Sequence, residues 1–298
     1  MTEKTSVFSK ATFFLSLVLT AERKNMNSFM SWVGGKKNLR DEVLARFPPY
    51  YERYIEVFGG AGWVLFHKPP GMDFEVYNDF NSNLANLYRC VRDKPNRLKY
   101  KLRYVLNSRE DFDLTSSLHK RGIFEKLCDA DRASKFYQLI RYSYASGLDS
   151  FGSQPHSMWS DFPMIDLAAR RLQKVVVENK DFERLIRQYD RPVSFFYCDP
   201  PYFATENYYK DVGFTAKDHI RLRDTLLEIK GKFLVSYNDC PEIREIWDKP
   251  NIHIEEISRL NNLAQRYDAG CQYGELLISN YDTSERAKAI KQLSLFDN

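Results

Sequence analysis

Apolar positions in this chain follow two different spacings. In "NLANLYRCVRD", Leu84, Leu87, Tyr88 and Val91 fall on one face of a helix. The same spacing runs through "LRDEVLARF", Leu39 to Phe47, and stops at Pro48–Pro49. Other apolar runs are short and dense, as buried strands require. They are "RYIEVF" from Arg53, "FEVYND" from Phe74, "VSFFYCD" from Val193, "KFLVSYND" from Lys232 and "GELLISNY" from Gly274. Between them lie helical stretches: "GWVLFHK", "DHIRLRDTLLEIK" and the short "EIREIW". Strand, glycine loop, helix, strand, acid, helix is the opening of a doubly wound, Rossmann-like α/β sheet.

From about Arg97 to Arg191 that rhythm breaks. The pattern there is mostly helical, with a loop at "SGLDSFGSQPHS". Residues 97–185 are therefore expected to form a helical insertion, with 30–96 and 186–282 making the sheet domain. Residues 1–29 are read as an extension and 283–298 as a tail. Charge singles out the insertion. Arg97 to Arg141 holds eleven Lys/Arg against six Asp/Glu, while the whole chain carries a net charge of +4. Aromatic residues such as Tyr100, Tyr104, Phe112 and Tyr144 interleave the basic ones. A solvated basic face is the ordinary outcome. A nucleic-acid surface needs the same ingredients, and Lys99, Lys101, Arg103 and Arg141 are the candidates for it.

The five cysteines form no CxxC pair and sit near no histidine pair, which argues against a zinc site and a disulfide framework and for a reducing cytoplasm. "ATFFLSLVLTA", Ala11 to Ala21, is too short to span a membrane. It reads as a short apolar helix, or as sequence upstream of a start at Met26 or Met30, in preference to an export signal.

Two strand ends carry candidate chemistry. After "RYIEVF", the turn "GGAG" supplies Gly59, Gly60 and Gly62, which allow close backbone approach. Leu65 occupies the third glycine position of GxGxxG, and no Gly-Lys-Ser/Thr follows, so this is neither a dinucleotide fingerprint nor a phosphate loop. Asp79, closing the next strand, is placed to hold ribose hydroxyls. A nucleoside cofactor without a pyrophosphate meets these conditions, and S-adenosylmethionine is one. At the end of the "SFFYC" run, Asp199, Pro200, Pro201 and Tyr202 fix a carboxylate, a rigid carbonyl and an aromatic ring where such sheets bind ligands.

Taken together, "WVGGKKNL" (Trp32 to Leu39), "YIEVFGGAG" (Tyr54 to Gly62), "VYNDFNSNLANLYRCVRD" (Val76 to Asp93), "CDPPY" (Cys198 to Tyr202) and "VSYND" (Val235 to Asp239) resemble, in this order, the Dam-type (D12 class) DNA adenine-N6 methyltransferases. Val57 stands where the family often has proline. The resemblance implies a methyltransferase sheet with an inserted target-recognition domain. It implies methyl transfer from S-adenosylmethionine to adenine N6 in a specific double-stranded DNA sequence, with base flipping, by a cytoplasmic monomer. In that reading Asp199 and the Pro200 carbonyl accept the amine hydrogens, Pro201 stiffens the backbone and Tyr202 stacks on the adenine. Trp32, Lys36, Phe58, Gly59, Gly60, Gly62, Asp79 and Asp199 line the cofactor, with Lys36 facing its carboxylate.

The same acid-Pro-Pro-aromatic arrangement serves methylation of protein amides or RNA bases. Enzymes acting on amides tend to carry Asn where Asp199 stands, which favours adenine in DNA. A non-catalytic DNA-binding module would not need Asp199, Asp79 and the glycine loop together. Neither the recognition sequence nor a partner in a restriction–modification system is written in these motifs. At the end of the chain, "QLSLF", Gln292 to Phe296, resembles the pentapeptide with which bacterial replication proteins dock on the sliding clamp.

Overall fold

A computed structural model describes residues 26–71, 73–204, 213–260 and 272–296. The apolar segment at 11–21 lies outside them. Among the described residues, seven strands form one sheet in the order β3-β2-β1-β4-β5-β7-β6. These are β1 (Arg53–Glu56), β2 (Phe74–Asn78), β3 (Val175–Glu178), β4 (Ser194–Cys198), β5 (Lys232–Asn238), β6 (His253–Leu260) and β7 (Gln272–Ser279). The first five are parallel. β7 runs antiparallel between β5 and β6.

Strand alternation decides what each face holds. Phe195 and Tyr197 of β4 point to one side of the sheet, with Tyr54 and Tyr77. Phe196 and Cys198 point to the other, with Ile55 and Val76. Every residue of β4 is buried, as expected of a central parallel strand covered on both faces. The second face is covered by α8 (Phe182–Tyr189), α9 (Ala216–Leu227) and α10 (Pro241–Trp247), through Leu185, Leu222, Leu226, Ile243 and Trp247.

On the first face lie α1 (Arg40–Ala45), α2 (Trp63–His67) and α3 (Ser82–Asp93). Asn81 caps α3, its Oδ1 accepting from the N–H groups of Asn83 (3.0 Å) and Leu84 (3.1 Å). The helical middle then adds α4 (Pro95–Leu102), α5 (Arg109–Lys120), α6 (Asp129–Tyr142) and α7 (Phe162–Leu172). α3 packs directly on α4, α6 and α7. Leu98, Phe112, Phe136, Leu139 and Ile165 thereby join the same core cluster as the sheet residues of that face.

The middle segment differs from its expected extent. β3 pairs in parallel with β2, from Glu75 opposite Val175 to Asn78 opposite Glu178. The sheet thus regains the chain at Val175, and a boundary at 185 cuts through α8. "VVVE" is one short run directly after a helix, so the reading of the middle as continuously helical passes over it. Helix α11 (Glu285–Phe296) ends the described chain. The side chains of "QLSLF" lie outside the described residues. Among the described residues no helix is long and apolar enough to cross a membrane.

Candidate active site

The C-terminal ends of β1, β2, β3 and β4 border one cavity of ≈ 1310 Å³, which reaches across to the loops of the helical middle. That is larger than the ~300–1,000 Å³ of an ordinary small-molecule pocket. It has room for more than one small molecule.

The glycine turn forms one half of the cavity. Gly60 (φ +50°) and Gly62 (φ +64°) adopt left-handed backbone, which glycine reaches without a Cβ penalty. A Cβ on Gly59 would lie 2.2 Å from Tyr77 Cε2, and one on Gly60 would lie 3.1 Å from the Trp32 ring. Two buried phenols hold this loop from beneath. Tyr77 and Tyr88 stack at 3.8 Å and both donate to the Gly60 carbonyl, at 2.7 and 3.2 Å. From above, Asp79 accepts from the N–H of Gly60 (2.9 Å) and of Asn81 (2.8 Å). Burial pushes the Asp79 carboxyl up to about 6, against the pull of those two donors. Trp32 lines the cavity and packs on Phe136 of α6.

Sequence reasoning missed several neighbours of this half. Asn78 ties three strand ends together. Its Nδ2 donates to the carbonyls of Val57 (2.9 Å) and Lys180 (3.1 Å), and its Oδ1 accepts from Lys180 N–H (2.9 Å). Phe58 belongs to an aromatic trio with Phe182 and Phe214, at 5.6 and 5.9 Å. Arg221 lies 4.0 Å over Phe182 and pairs with Asp181 at 2.8 Å. Phe182 and Asp181 follow the overlooked β3, so without that strand they have no place at the sheet edge.

The other half centres on Asp199, just past β4. Ser236 of β5 donates to Asp199 Oδ1 at 2.9 Å, and Lys36 Nζ sits 2.7 Å from the same oxygen. Among the described residues no donor meets Oδ2. Burial pushes the Asp199 carboxyl up, and the Lys36 ammonium opposes that shift. Asp199 and Pro201 line the cavity.

Lys36, expected to face a cofactor carboxylate, is buried (6% exposed) and engaged with the protein's own groups. Besides Asp199 it donates to the Tyr202 hydroxyl, which in turn donates to Glu275 of β7. Its ammonium also lies 4.2 Å from the Tyr202 ring centroid, covering one face of that ring. The basic candidates of the middle segment are mostly compensated. Lys99 pairs with Asp166 (2.5 Å), Lys101 with Asp131 (2.7 Å) and Arg141 with Asp161 (3.0 Å). Arg103 is exposed and lies 5.2 Å over Trp159. On the cavity wall this segment instead contributes His119, Lys120, Phe124 and the loop from Tyr144 to Ser150.

Residues 32–262 match the D12 class N6 adenine-specific DNA methyltransferases. The chain belongs to this family. It is 29% identical to the "Type II methyltransferase M1.LlaDCHI" of Lactococcus lactis subsp. cremoris, over 89% of this chain and 99% of that protein. It is also 29% identical to a "DNA adenine methylase" of Escherichia coli K12, over 79% of this chain and 89% of that protein. A protein of the same name from Vibrio cholerae O395 is 25% identical over 79% of this chain. The D12-class chain is thus an adenine-specific DNA methyltransferase, and the family implies a methyl donor.

Proposed function

We propose that Asp199 Oδ2 and the Pro200 carbonyl accept the two hydrogens of an adenine N6 amine. The adenine belongs to a specific double-stranded DNA sequence and is turned out of its duplex. The carrying observation is the convergence of Lys36 and Ser236 on Oδ1, which leaves Oδ2 for the substrate. An exocyclic amine is a weak nucleophile, because its lone pair is delocalised into the ring. Two acceptors held by a buried strand end and a proline pair draw the hydrogens into a fixed plane and restore the lone pair's direction. The N6 proton lost on transfer goes to Asp199 and from there to solvent.

The residues of the other half fit S-adenosylmethionine: a glycine turn on the cavity wall held in left-handed backbone, a carboxylate beside it and three aromatic rings for an adenine. When bound, that cofactor supplies an electrophilic methyl group on sulfur. Asp79 holds the ribose, Phe58, Phe182 and Phe214 enclose the base, and Trp32 closes the loop side. The expansive cavity supports base extrusion, whose cost of a few kcal/mol is offset by stacking and edge hydrogen bonds. Residues of the helical middle recognise the DNA target, and the enzyme works in the cytoplasm. The name of its Lactococcus relative supports a place beside a restriction enzyme.

Replacing Asp199 with Asn keeps the shape but loses the strong acceptor. Asp199→Asn is expected to lose methyl transfer from tritiated cofactor to plasmid DNA by at least ~100-fold, while keeping its fold. Transfer at the wild-type rate would reject the mechanism. We further propose that the tail docks on a sliding clamp through Gln292 to Phe296. Polarisation with a labelled tail peptide tests this, and equal binding after Leu295→Ala and Phe296→Ala would refute it.

A further inference from the structure

Glu275 has no part in the reading above, yet it is fully buried (0% exposed) beside the reacting centre. On β7 it faces Asn238 of β5 and Ile257 of β6 in register. The Tyr202 hydroxyl donates to its Oε2, and the same oxygen lies 3.9 Å from Lys36 Nζ. Lys36 thus spans two carboxylates, with the Tyr202 oxygen bonded to it as well.

The geometry of a lysine makes this arrangement consequential. An ammonium is a point charge with three rotatable donors on a flexible stem. Drawn only by Asp199, it could settle between both carboxylate oxygens and cover the acceptor the amine needs. Drawn also toward Glu275 and Tyr202, it stays on the Oδ1 side. We propose that Glu275, acting through the Tyr202 hydroxyl, is a positioning residue that holds Lys36 on Asp199 Oδ1 and keeps Oδ2 open to the target amine.

This rests on the reading of Asp199 as the amine acceptor. The titratable groups around Asp199 are Lys36 ahead of α1, Glu56 of β1, Tyr197 and Cys198 of β4, Tyr202 in its own loop and Glu275 of β7. Of these, Glu275 acts to raise the proton affinity of Asp199, and Lys36 acts to lower it.

Glu275→Gln removes the anchoring charge while keeping the shape. It is expected to lower kcat roughly 10–100-fold, the scale of a misplaced catalytic group. KM for cofactor should stay within about twofold, since the interaction acts in the transition state. The acid limb of the kcat/KM profile should move to lower pH, because Asp199 loses a neighbouring negative charge and gains a freer lysine. Tyr202→Phe keeps the ring and deletes the link. It should shift the profile in the same direction, and the double variant should lose less than the two single losses combined.

A folded Glu275→Gln enzyme with wild-type kcat and an unmoved acid limb would overturn the proposal. If that variant does not fold, Tyr202→Phe decides alone, on the same two readouts. Activity in Asp199→Asn would remove the acceptor reading itself. An inactive Asp199→Asn beside an unaffected Glu275→Gln would overturn only the positioning role.

Discussion

Glu56 shows what the cavity costs at the level of one residue. It ends β1 with 2% exposure and accepts from Tyr54 OH at 2.7 Å. Burial pushes its carboxyl up to about 8, and the charge of Asp199 adds to the shift. An unfolded glutamate titrates near ~4.3. Between those values the folded chain binds more protons than the unfolded one, so stability falls as pH rises through the window. The contribution is fully present below the unfolded value and is lost as pH passes about 8. Glu56→Gln cannot ionise, so its thermal midpoint should decline less than that of wild type between pH 5 and 8. Parallel melting curves for the two proteins across that range would contradict this. At the residue scale the sequence singled out candidate residues but not their neighbours. "WVGGKKNL" made Lys36 a candidate, yet its partners Asp199, Tyr202 and Glu275 come from distant parts of the chain that only the folded sheet brings together.

Among the elements, the motif-bearing strands β1, β2, β4, β5 and β7 were legible because each is a dense apolar run ending in turn residues. β3 was not, being four residues long and directly preceded by helix α7. β6, "HIEEISRL", gave no strand signal strong enough to set against its charges. The missing β3 is what hid Asp181 and Phe182 from the site. It also hid the role of Asn78, which closes the β2 end onto the residues after β1 and β3. Asn78→Ala leaves the Val57 and Lys180 backbone groups unpaired in a buried place. The expected loss is roughly 2–4 kcal/mol, from three lost hydrogen bonds whose backbone partners at Lys180 are only part-buried. Denaturant titration measures that loss. Calorimetry should show weaker cofactor binding in the same variant, because the glycine loop leans on this junction. A stability change below about 0.5 kcal/mol would mean that the three strand ends do not depend on it.

For the whole molecule, charge placement is expected to govern how DNA is held. The basic excess of the middle segment was visible in the sequence, but its pairing was not: Lys99, Lys101 and Arg141 each meet a carboxylate. Lys37 and Arg121 are exposed, each adjoining in sequence a residue that lines the cavity, and among the described residues neither pairs with a carboxylate. Removing either is expected to lower the slope of log affinity against log salt by about one. Lys101→Ala should change the slope by less, because Asp131 already neutralises that charge. Equal changes at all three positions, measured by titration of duplex DNA at several salt concentrations, would show that the ion pairs do not matter.

The strand order carries a consequence for how the chain becomes an enzyme. β7 is the last strand in the chain but lies between β5 and β6. During synthesis, β6 leaves the ribosome with no edge of the sheet to join until β7 has slotted in beside β5. Lys36 is among the first described residues to emerge and Glu275 among the last. A nascent or prematurely terminated chain therefore holds the glycine loop and the Asp199 motif without the strand that carries Glu275. The side chains gathered around Lys36 come together only once that final strand is made.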